Sequence, residues 1–356
     1  MLTATEKAII LFQDGQGAPI TLPPLFCPAV PAARSDQIEQ AEAHSLQWAV
    51  TFQLVQPQSK QLARLTAARL AWIAGRINPD FRFDQLTLFT DWLTWLICYD
   101  DLCDGEALGR DPVAWGALIQ RLMAAVEGSH KPAPTDALAY ALADLGRRLR
   151  GRTSTRWLDR FAHDLKQTFQ ANRWEAALRA DGTPPDLATY TKMRLLTSAI
   201  APCLDLMAIC AGVDPQAEWL SHAYLQQLEK MTSNHICWVN DLFGLAREIK
   251  ENNPNNLVLV LQRERRLSLQ AAVDQVAALC NAEMKAFLAL ADHFSTEEEG
   301  LTTGCQRYIQ RLQNWMRGNL DWYAQTERYQ AKPLVGVQLA ACVRESARQP
   351  EKFRLL

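Results

Sequence analysis

Helical spacing of apolar residues is the feature that most limits what this chain can fold into. From Ser35 onward, apolar side chains recur every three or four residues, and we find no convincing strand alternation. The clearest stripe, at the start of a helix predicted at about 83–104, consists of Phe83, Leu86, Phe89, Trp92, Leu93 and Leu96. With no repeat and no low-complexity linker, the pattern predicts one all-α domain, a bundle of about ten or more helices.

Prolines, glycines and Asn/Asp clusters divide the chain into its predicted elements. Five prolines within residues 1–35 exclude a continuous helix and predict an irregular N-terminal strap, with a disordered tail as the alternative. We assign the helical domain to 36–330 and a C-terminal tail to 331–356. An apolar run at 257–261 follows a helix break and is too short to assign. The predicted helices lie at about 36–56, 59–75, 83–104, 112–127, 134–150, 154–179, 187–212, 215–251, 267–294 and 298–327.

Charge, cysteine usage and hydropathy exclude several classes of protein. The net charge is -2, so no strong positive field is available to hold nucleic acid or an anionic membrane. Nine cysteines are scattered without a CxxC pair, which favours a reducing cytosol over a disulfide framework. The longest apolar stretch, at about 198–213, contains Asp205 and is too short to span a membrane. We therefore expect a cytoplasmic protein with no nucleic-acid partner and no membrane insertion.

Three carboxylates stand at the end of the third predicted helix. Asp100 and Asp104 are four residues apart and share a helix face, and Asp101 is rotated by about 100° from Asp100. Like charges repel here, and the helix C-terminus is already partially negative, so the cluster needs a cation. Magnesium, which prefers oxygen ligands, is the natural candidate. The alternative is a solvated acidic helix end capped by Gly105.

A second polar cluster lies in the helix predicted at 215–251. Asn240, Gly244 and Glu248 are spaced four residues apart and follow one stripe of that helix. An amide oxygen and a carboxylate on one stripe suit a second magnesium site, and Arg247 stands beside it as a candidate diphosphate contact. The alternative is the surface of an ordinary amphipathic helix.

The two clusters together resemble the metal-binding motifs of class I terpene synthases, especially the bacterial type. Asp100, Asp101 and Asp104 match the DDxxD motif, and Asn240, Gly244 and Glu248 match the downstream N-D-x-x-(S/T/G)-x-x-x-E motif. Two further family features are also present. Arg194 stands 46 residues before Asn240, where the family has an arginine that senses diphosphate, and Arg328-Tyr329 occupies the place of a C-terminal Arg-Tyr pair.

The resemblance implies a helical bundle around a central active-site cavity. It also implies three Mg²⁺ ions, with Mn²⁺ as a substitute, and a prenyl diphosphate substrate that is ionised and then cyclised. Size and the single domain resemble sesquiterpene synthases acting on farnesyl diphosphate, and family members are monomers or homodimers. The implied diphosphate contacts are Arg194, Arg247, Arg328 and Tyr329, and the linker and effector positions are Thr197 and Ser198. Trp322 is the candidate aromatic wall of the cavity, with a plain core tryptophan as the alternative.

The chain departs from the family pattern at two places. Gly244 stands where the family usually has Ser or Thr, so a water must replace the missing side-chain oxygen, and we expect altered metal affinity rather than loss. Leu96 and Ile97 stand where family members often place aromatic residues before the first aspartate.

Pro202 independently predicts a kink next to the effector position. In a continuous helix the carbonyl of Ser198 accepts a hydrogen bond from the N–H of residue 202, which is proline and has none. The Ser198 carbonyl is then left without its helical partner, and the helix should bend there. The alternative is a kink with a structural role only.

Three other functions compete with sesquiterpene cyclisation. A monoterpene synthase would use the same motifs on geranyl diphosphate. A chain-elongating prenyl diphosphate synthase would normally carry two aspartate-rich motifs, whereas the second motif here has the Asn/Gly/Glu form. A non-catalytic helical binding protein would bind neither magnesium nor diphosphate. No GxxxxGK[ST], HExxH or GxSxG motif points to another enzyme class.

Overall fold

The computed structural model describes residues 9–13, 17–28, 35–103, 111–181, 185–297, 302–326 and 343–344. Helices make up most of this part of the chain, as the apolar spacing predicts. They are α1 (Ser35–Thr51), α2 (Lys60–Ala68), α3 (Leu70–Ile77), α4 (Phe83–Cys103), α5 (Pro112–Glu127), α6 (Ala137–Arg150), α7 (Thr155–Asp181), α8 (Leu187–Thr197), α9 (Ile200–Cys210), α10 (Ala223–Lys250), α11 (Leu257–Arg265), α12 (Leu269–Glu297) and α13 (Thr303–Gln325), with a 3-10 turn at Glu218–Ser221.

The helices pack around one continuous apolar core, in which α4 and α10 are the main supports of the site. Helix α4 packs against α1, α3 and α6, and α10 packs against α12 and α13. The predicted stripe of α4 is largely confirmed, because Leu86, Phe89 and Trp92 are buried, although Phe83 is 40% exposed. The ring of Trp95 stacks on Tyr99 at 5.2 Å, which rigidifies the last turns of α4 before Asp100.

Two predicted helices are each divided in two. Arg69 adopts a left-handed conformation with φ of 54° and separates α2 from α3. Ala199, with φ of 56°, separates α8 from α9. This second break confirms the bend predicted next to Ser198, since Pro202 in the first turn of α9 has no N–H to continue the ladder.

Helix α11 was not predicted, because the apolar run at 257–261 is shorter than a typical helix. Asn256 caps its N-terminus, with the Asn256 Oδ1 accepting the backbone N–H of Val258 at 2.8 Å. Leu257, Val258, Val260 and Leu261 are all buried, so tertiary packing stabilises this short helix.

The N-terminal strap contains short strands where irregular structure was expected. Strand β1 (Ile9–Gln13) pairs antiparallel with β2 (Pro19–Leu22), and β3 (Leu25–Phe26) pairs in parallel with β4 (Val343–Arg344). Gln270 and Asn281 of α12 accept the backbone N–H groups of Thr21 and Phe26 at 2.8 and 2.5 Å. Strands of two to five residues flanked by prolines show too few alternations to be recognised in sequence. The division into strap, domain and tail at 36 and 330 stays a prediction.

Six cysteines of the described ranges form no disulfide and are buried: Cys27, Cys203, Cys210, Cys237, Cys280 and Cys305. Burial raises the pKa of the Cys203 and Cys210 thiols to about 12, so these thiols stay protonated and inert. These cysteines serve as small apolar side chains in the core.

The stretch Leu187–Cys210 passes the length and hydropathy test for a membrane span. It is divided by the break at Ala199, and 61% of its most apolar window is buried inside the protein. Burial of this kind is typical of helices in the core of a helical bundle.

Candidate active site

One cavity brings together most of the residues that the sequence singles out. It lies among the C-terminal half of α4, the α8–α9 break, the middle of α10 and the end of α13. Its apolar lining includes Leu70, Ile73, Leu93, Leu96, Ile97, Ile200, Ile236, Trp315 and Trp322. Its polar lining includes Asp100, Asn172, Glu175, Arg194, Thr197, Ser198, Asn240, Arg247, Glu248, Asn253, Asn255 and Asn319. The combination of an apolar wall with convergent charged groups is typical of a ligand site.

The first metal motif is only partly within the described residues. Asp100 lines the cavity, Asp101 is exposed on the same last turn of α4, and Asp104 lies outside the described residues. Across the described ranges, no three Asp, Glu, His or Cys side chains converge on one point. Magnesium needs only one or two protein carboxylates when substrate phosphates and waters complete its shell.

The second motif lies along α10 as its spacing predicts. Asn240 and Glu248 both line the cavity, and Gly244 is buried between them on the same helix. A Cβ atom at position 244 would lie 3.0 Å from Glu248 Oε1, so the glutamate carboxylate occupies the space that a side chain would need. The predicted water in place of a serine hydroxyl stays a prediction.

The environment of Glu248 suits a cation. Only 6% of this residue is exposed, and burial together with the neighbouring Asp241 raises the pKa of its carboxyl to about 8. A divalent ion held by Glu248 and Asn240 would lower this pKa again, because the positive charge favours the ionised carboxylate. The oxygen donors present therefore fit a hard divalent metal ion.

Arg194 is held rigidly at the edge of the second motif. Its Nη2 donates to Asn240 Oδ1 at 2.7 Å, and its Nε donates to Asp241 Oδ1 at 3.0 Å. Burial alone would lower the pKa of the guanidinium, but the neighbouring acidic groups, Asp241 foremost, together outweigh it, so the pKa of Arg194 lies well above its ordinary value. The side chain is 14% exposed and presents a permanent positive charge beside the metal motif.

Asp241 is the central acceptor of this network, and no role was predicted for it from the sequence. Besides Arg194, its carboxylate accepts the hydroxyl of Tyr190 and, at 2.8 Å, the backbone N–H of Leu257. It lies about 100° around α10 from Asn240 and so off the predicted stripe. The available signal was that an aspartate directly follows the motif asparagine. Its side-chain partners Arg194 and Tyr190, however, lie 47 and 51 residues away in sequence and become neighbours only in the fold.

The α8–α9 break enters the cavity wall. Thr197 and Ser198 both line the cavity, and the carbonyl of Thr197 accepts Nδ2 of Asn172 at 3.3 Å. Asn172 in turn accepts the hydroxyl of Tyr99 at 3.0 Å, which links the break to the end of α4. The structure thus brings these residues to the site, and their catalytic roles stay predictions.

Aromatic residues of α13 form a further part of the cavity wall. Trp322 is 6% exposed, lines the cavity and donates its indole N–H to the carbonyl of Ala68 at 2.6 Å. The neighbouring Tyr323 stacks on Phe243 at 4.8 Å, and its hydroxyl accepts Nδ2 of Asn240. Arg328 and Tyr329, which follow α13, lie outside the described residues.

Comparisons with known proteins agree with this geometry. The profile described as terpene synthase family 2, C-terminal metal binding, matches residues 91–286. The chain is 34% identical over 295 residues to a (+)-T-muurolol synthase ((2E,6E)-farnesyl diphosphate cyclizing) of Roseiflexus castenholzii, covering 83% of this chain and 89% of that protein. It is 30% identical over 307 residues to a germacrene A synthase of Nostoc punctiforme, covering 86% and 94%.

A solved structure shares the fold as well. A single-residue variant of cucumene synthase superposes with a TM-score of 0.73 at 25% identity, covering 85% of this chain and 99% of that one. The family profile spans α4 to α12 and contains Asp100, Arg194 and the α10 motif, the residues that meet in the cavity. The chain therefore belongs to the class I terpene synthase family.

Proposed function

We propose that this protein is a magnesium-dependent sesquiterpene synthase that ionises farnesyl diphosphate and cyclises its hydrocarbon chain. The observation that carries the proposal is the convergence of Asp100, Arg194, Asn240 and Glu248 on one cavity whose remaining wall is apolar. The relative named above as cyclising (2E,6E)-farnesyl diphosphate supports the choice of substrate. No observation favours geranyl diphosphate, chain elongation or a non-catalytic role.

The metal ligands proposed are Asp100, Asp101 and Asp104 on one side, and Asn240 and Glu248 on the other, with a water in place of the side-chain oxygen that Gly244 lacks. We propose Mg²⁺, three ions by family resemblance, with Mn²⁺ as a substitute. Bound magnesium neutralises the negative charge of the diphosphate and so makes it a better leaving group.

Arginine side chains are proposed to stabilise the negative charge of the diphosphate leaving group. Arg194 and Arg247 line the cavity next to the α10 motif, and guanidinium groups match the geometry of phosphate oxygens. Arg328 and Tyr329 are proposed as additional diphosphate contacts. When the carbon–oxygen bond breaks heterolytically, the electron pair leaves with the diphosphate and an allylic cation remains in the cavity.

The apolar wall protects that cation from water. Leu93, Leu96, Ile97 and Ile200 offer no nucleophile, and the tryptophan Trp322 presents a π-system that stabilises positive charge. Leu96 and Ile97 line the cavity, so this part of the wall is aliphatic where family members often carry aromatic residues. The Thr197–Ser198 break is proposed to direct backbone dipoles toward the cation.

We infer that the enzyme works as a soluble cytoplasmic protein, as a monomer or homodimer. The near-neutral net charge of -2 and the burial of its most apolar helical stretch support this inference.

The decisive experiment is incubation of the purified protein with farnesyl, geranyl and geranylgeranyl diphosphate, with magnesium or with EDTA. Products are identified by gas chromatography and mass spectrometry. We expect a cyclic C15 product from farnesyl diphosphate that requires magnesium. A C10 product of higher yield would support the monoterpene alternative, and a folded sample without product from any substrate would contradict the proposal.

A further inference from the structure

Asn256 is a fully buried polar residue that joins the start of α11 to the metal-motif helix α10. Its Nδ2 lies 2.6 Å from Glu248 Oε2 and 2.7 Å from the carbonyl oxygen of Asp241. Its Oδ1 accepts the backbone N–H of Val258 at 2.8 Å. Both N–H groups of the Asn256 amide therefore donate to α10, and the amide oxygen caps α11.

The orientation of this amide follows from its partners. The nitrogen side faces two acceptors, a carboxylate oxygen and a carbonyl oxygen, and the oxygen side faces an N–H donor. A flipped amide would place its oxygen against both acceptors and its nitrogen against the donor, losing every bond. Asn256 is thus held in one rotamer and presents an N–H donor to Glu248 at a fixed position.

We propose that Asn256 is a positioning residue for the metal ligand Glu248, an inference that rests on the proposed function. Glutamate has three side-chain torsions, and magnesium requires near-octahedral geometry, so a free carboxylate would have to be ordered when metal binds. The bond from Asn256 orders one carboxylate oxygen in advance and leaves Oε1, the oxygen over Gly244, for the cation. Partners of this kind typically change metal affinity about 10- to 100-fold.

Leu257, the residue after Asn256, supports Arg194 in a similar way through Asp241. The backbone N–H of Leu257 donates to Asp241 Oδ2, and Asp241 holds Arg194. Because this second contact uses the backbone, it persists in any Asn256 variant that keeps the start of α11 in place. Changes at Asn256 can therefore separate the positioning of Glu248 from that of Arg194.

Two substitutions test the positioning role while keeping the helix cap. Ser and Thr are both favoured helix caps, so Asn256→Ser and Asn256→Thr keep an oxygen for the N–H of Val258 without adding a charge beside Glu248. Neither offers an N–H donor that reaches Glu248. A matched control is Ser59→Ala, which removes a cap bond to the N–H of Leu62 at the start of α2, a helix that does not line the cavity.

The measurement is Mn²⁺ binding to the full-length protein in the presence of inorganic diphosphate, followed by the electron paramagnetic resonance signal of free Mn²⁺. Thermal unfolding is recorded on the same samples. We expect both Asn256 variants to bind Mn²⁺ about 10- to 100-fold more weakly than the wild type. Ser59→Ala should lower the unfolding temperature without changing Mn²⁺ affinity.

The outcomes distinguish this inference from the function on which it rests. A wild-type protein that binds Mn²⁺, together with Asn256 variants of unchanged affinity, would overturn the positioning role alone. A wild-type protein that binds no Mn²⁺ with diphosphate would overturn the proposed metal site and the positioning role with it. If one variant does not fold, the other and the control still decide the question.

Discussion

Arg194 and Asp241 form an ion pair in which the guanidinium Nε and Nη2 lie 3.0 and 2.9 Å from the same carboxylate oxygen. The carboxylate is fully buried and the guanidinium is 14% exposed, so the pair is screened little by solvent. The second oxygen of Asp241 accepts hydrogen bonds from the Tyr190 hydroxyl and the Leu257 backbone N–H, and these bonds prevent the carboxylate from turning away. Arg194 therefore lines the cavity with its guanidinium held in a fixed orientation.

This relationship predicts that Asp241→Asn impairs both stability and catalysis. Removing one partner of a buried pair leaves the other charge unpaired and costs about 3–5 kcal/mol in the free energy of unfolding. We also expect kcat/KM for the prenyl diphosphate to fall at least about tenfold, since Arg194 loses its orientation. Urea unfolding and steady-state kinetics measure the two effects.

Tyr190→Phe is the matched control, because it removes only a hydroxyl donor to the same carboxylate. We expect a smaller loss of about 1–3 kcal/mol and a nearly unchanged kcat/KM. Equal effects of the two substitutions on kcat/KM would contradict a special role of the ion pair.

Metal-motif substitutions should abolish turnover without disturbing the fold. Asp100 is partly exposed and Asn240 lines the cavity, so Asp100→Ala and Asn240→Ala remove oxygen ligands and little packing. We expect product formation to fall at least about 100-fold while the helical circular dichroism signal is kept. Asp292→Ala, at an exposed position of α12, is the control and should remain active. Full activity in either motif variant would refute the metal assignment.

Gly244 allows a test of the missing hydroxyl at the second motif. Both Gly244→Ala and Gly244→Ser place a Cβ atom 3.0 Å from Glu248 Oε1, which must shift slightly in either variant. Only serine adds an oxygen ligand, so we expect a lower half-saturating magnesium concentration in the serine variant than in the alanine variant. Identical magnesium dependence in the two variants would show that a hydroxyl at position 244 does not reach the metal.

The burial of His235 leads us to expect that the folded protein loses stability in mild acid. His235 is fully buried, and within the described residues neither ring nitrogen has a hydrogen-bond partner. Burial lowers the pKa of its imidazole from 6.5 to about 4. Between these pH values the unfolded chain binds a proton that the folded protein does not, so stability falls as the pH decreases from 6.5 toward 4.

The size of this effect is about 3 kcal/mol across that pH range. His235→Leu should remove most of it and raise stability at pH 7 by about 1–3 kcal/mol, because a buried unsatisfied group disappears. Urea unfolding at pH 7 and pH 5 provides the measurement, with His163→Gln at an exposed position of α7 as the control. An unchanged pH dependence in His235→Leu would assign the acid sensitivity to other groups.

The sequence by itself determined the helical class, the α10 stripe and the break after α8. These features are local, since a separation of four residues places Asn240, Gly244 and Glu248 on one face of any helix. Pro202 likewise interrupts the ladder wherever its helix lies, because the missing N–H is covalent. The family resemblance then predicted that Asp100 and Arg194 belong to the same site as the α10 stripe, and the structure brings them to the same cavity.

Only the tertiary structure decided which groups support those residues. Asp241 meets Tyr190 and Arg194 from α8, and Asn256 turns back onto Glu248 across a helix break. Helix α11 exists because four of its apolar residues are buried by neighbouring helices, which no short window of sequence reveals. The path of the chain through a loop depends on the packing of both flanking helices, and so the partners that position Glu248 and Arg194 are set by the completed fold.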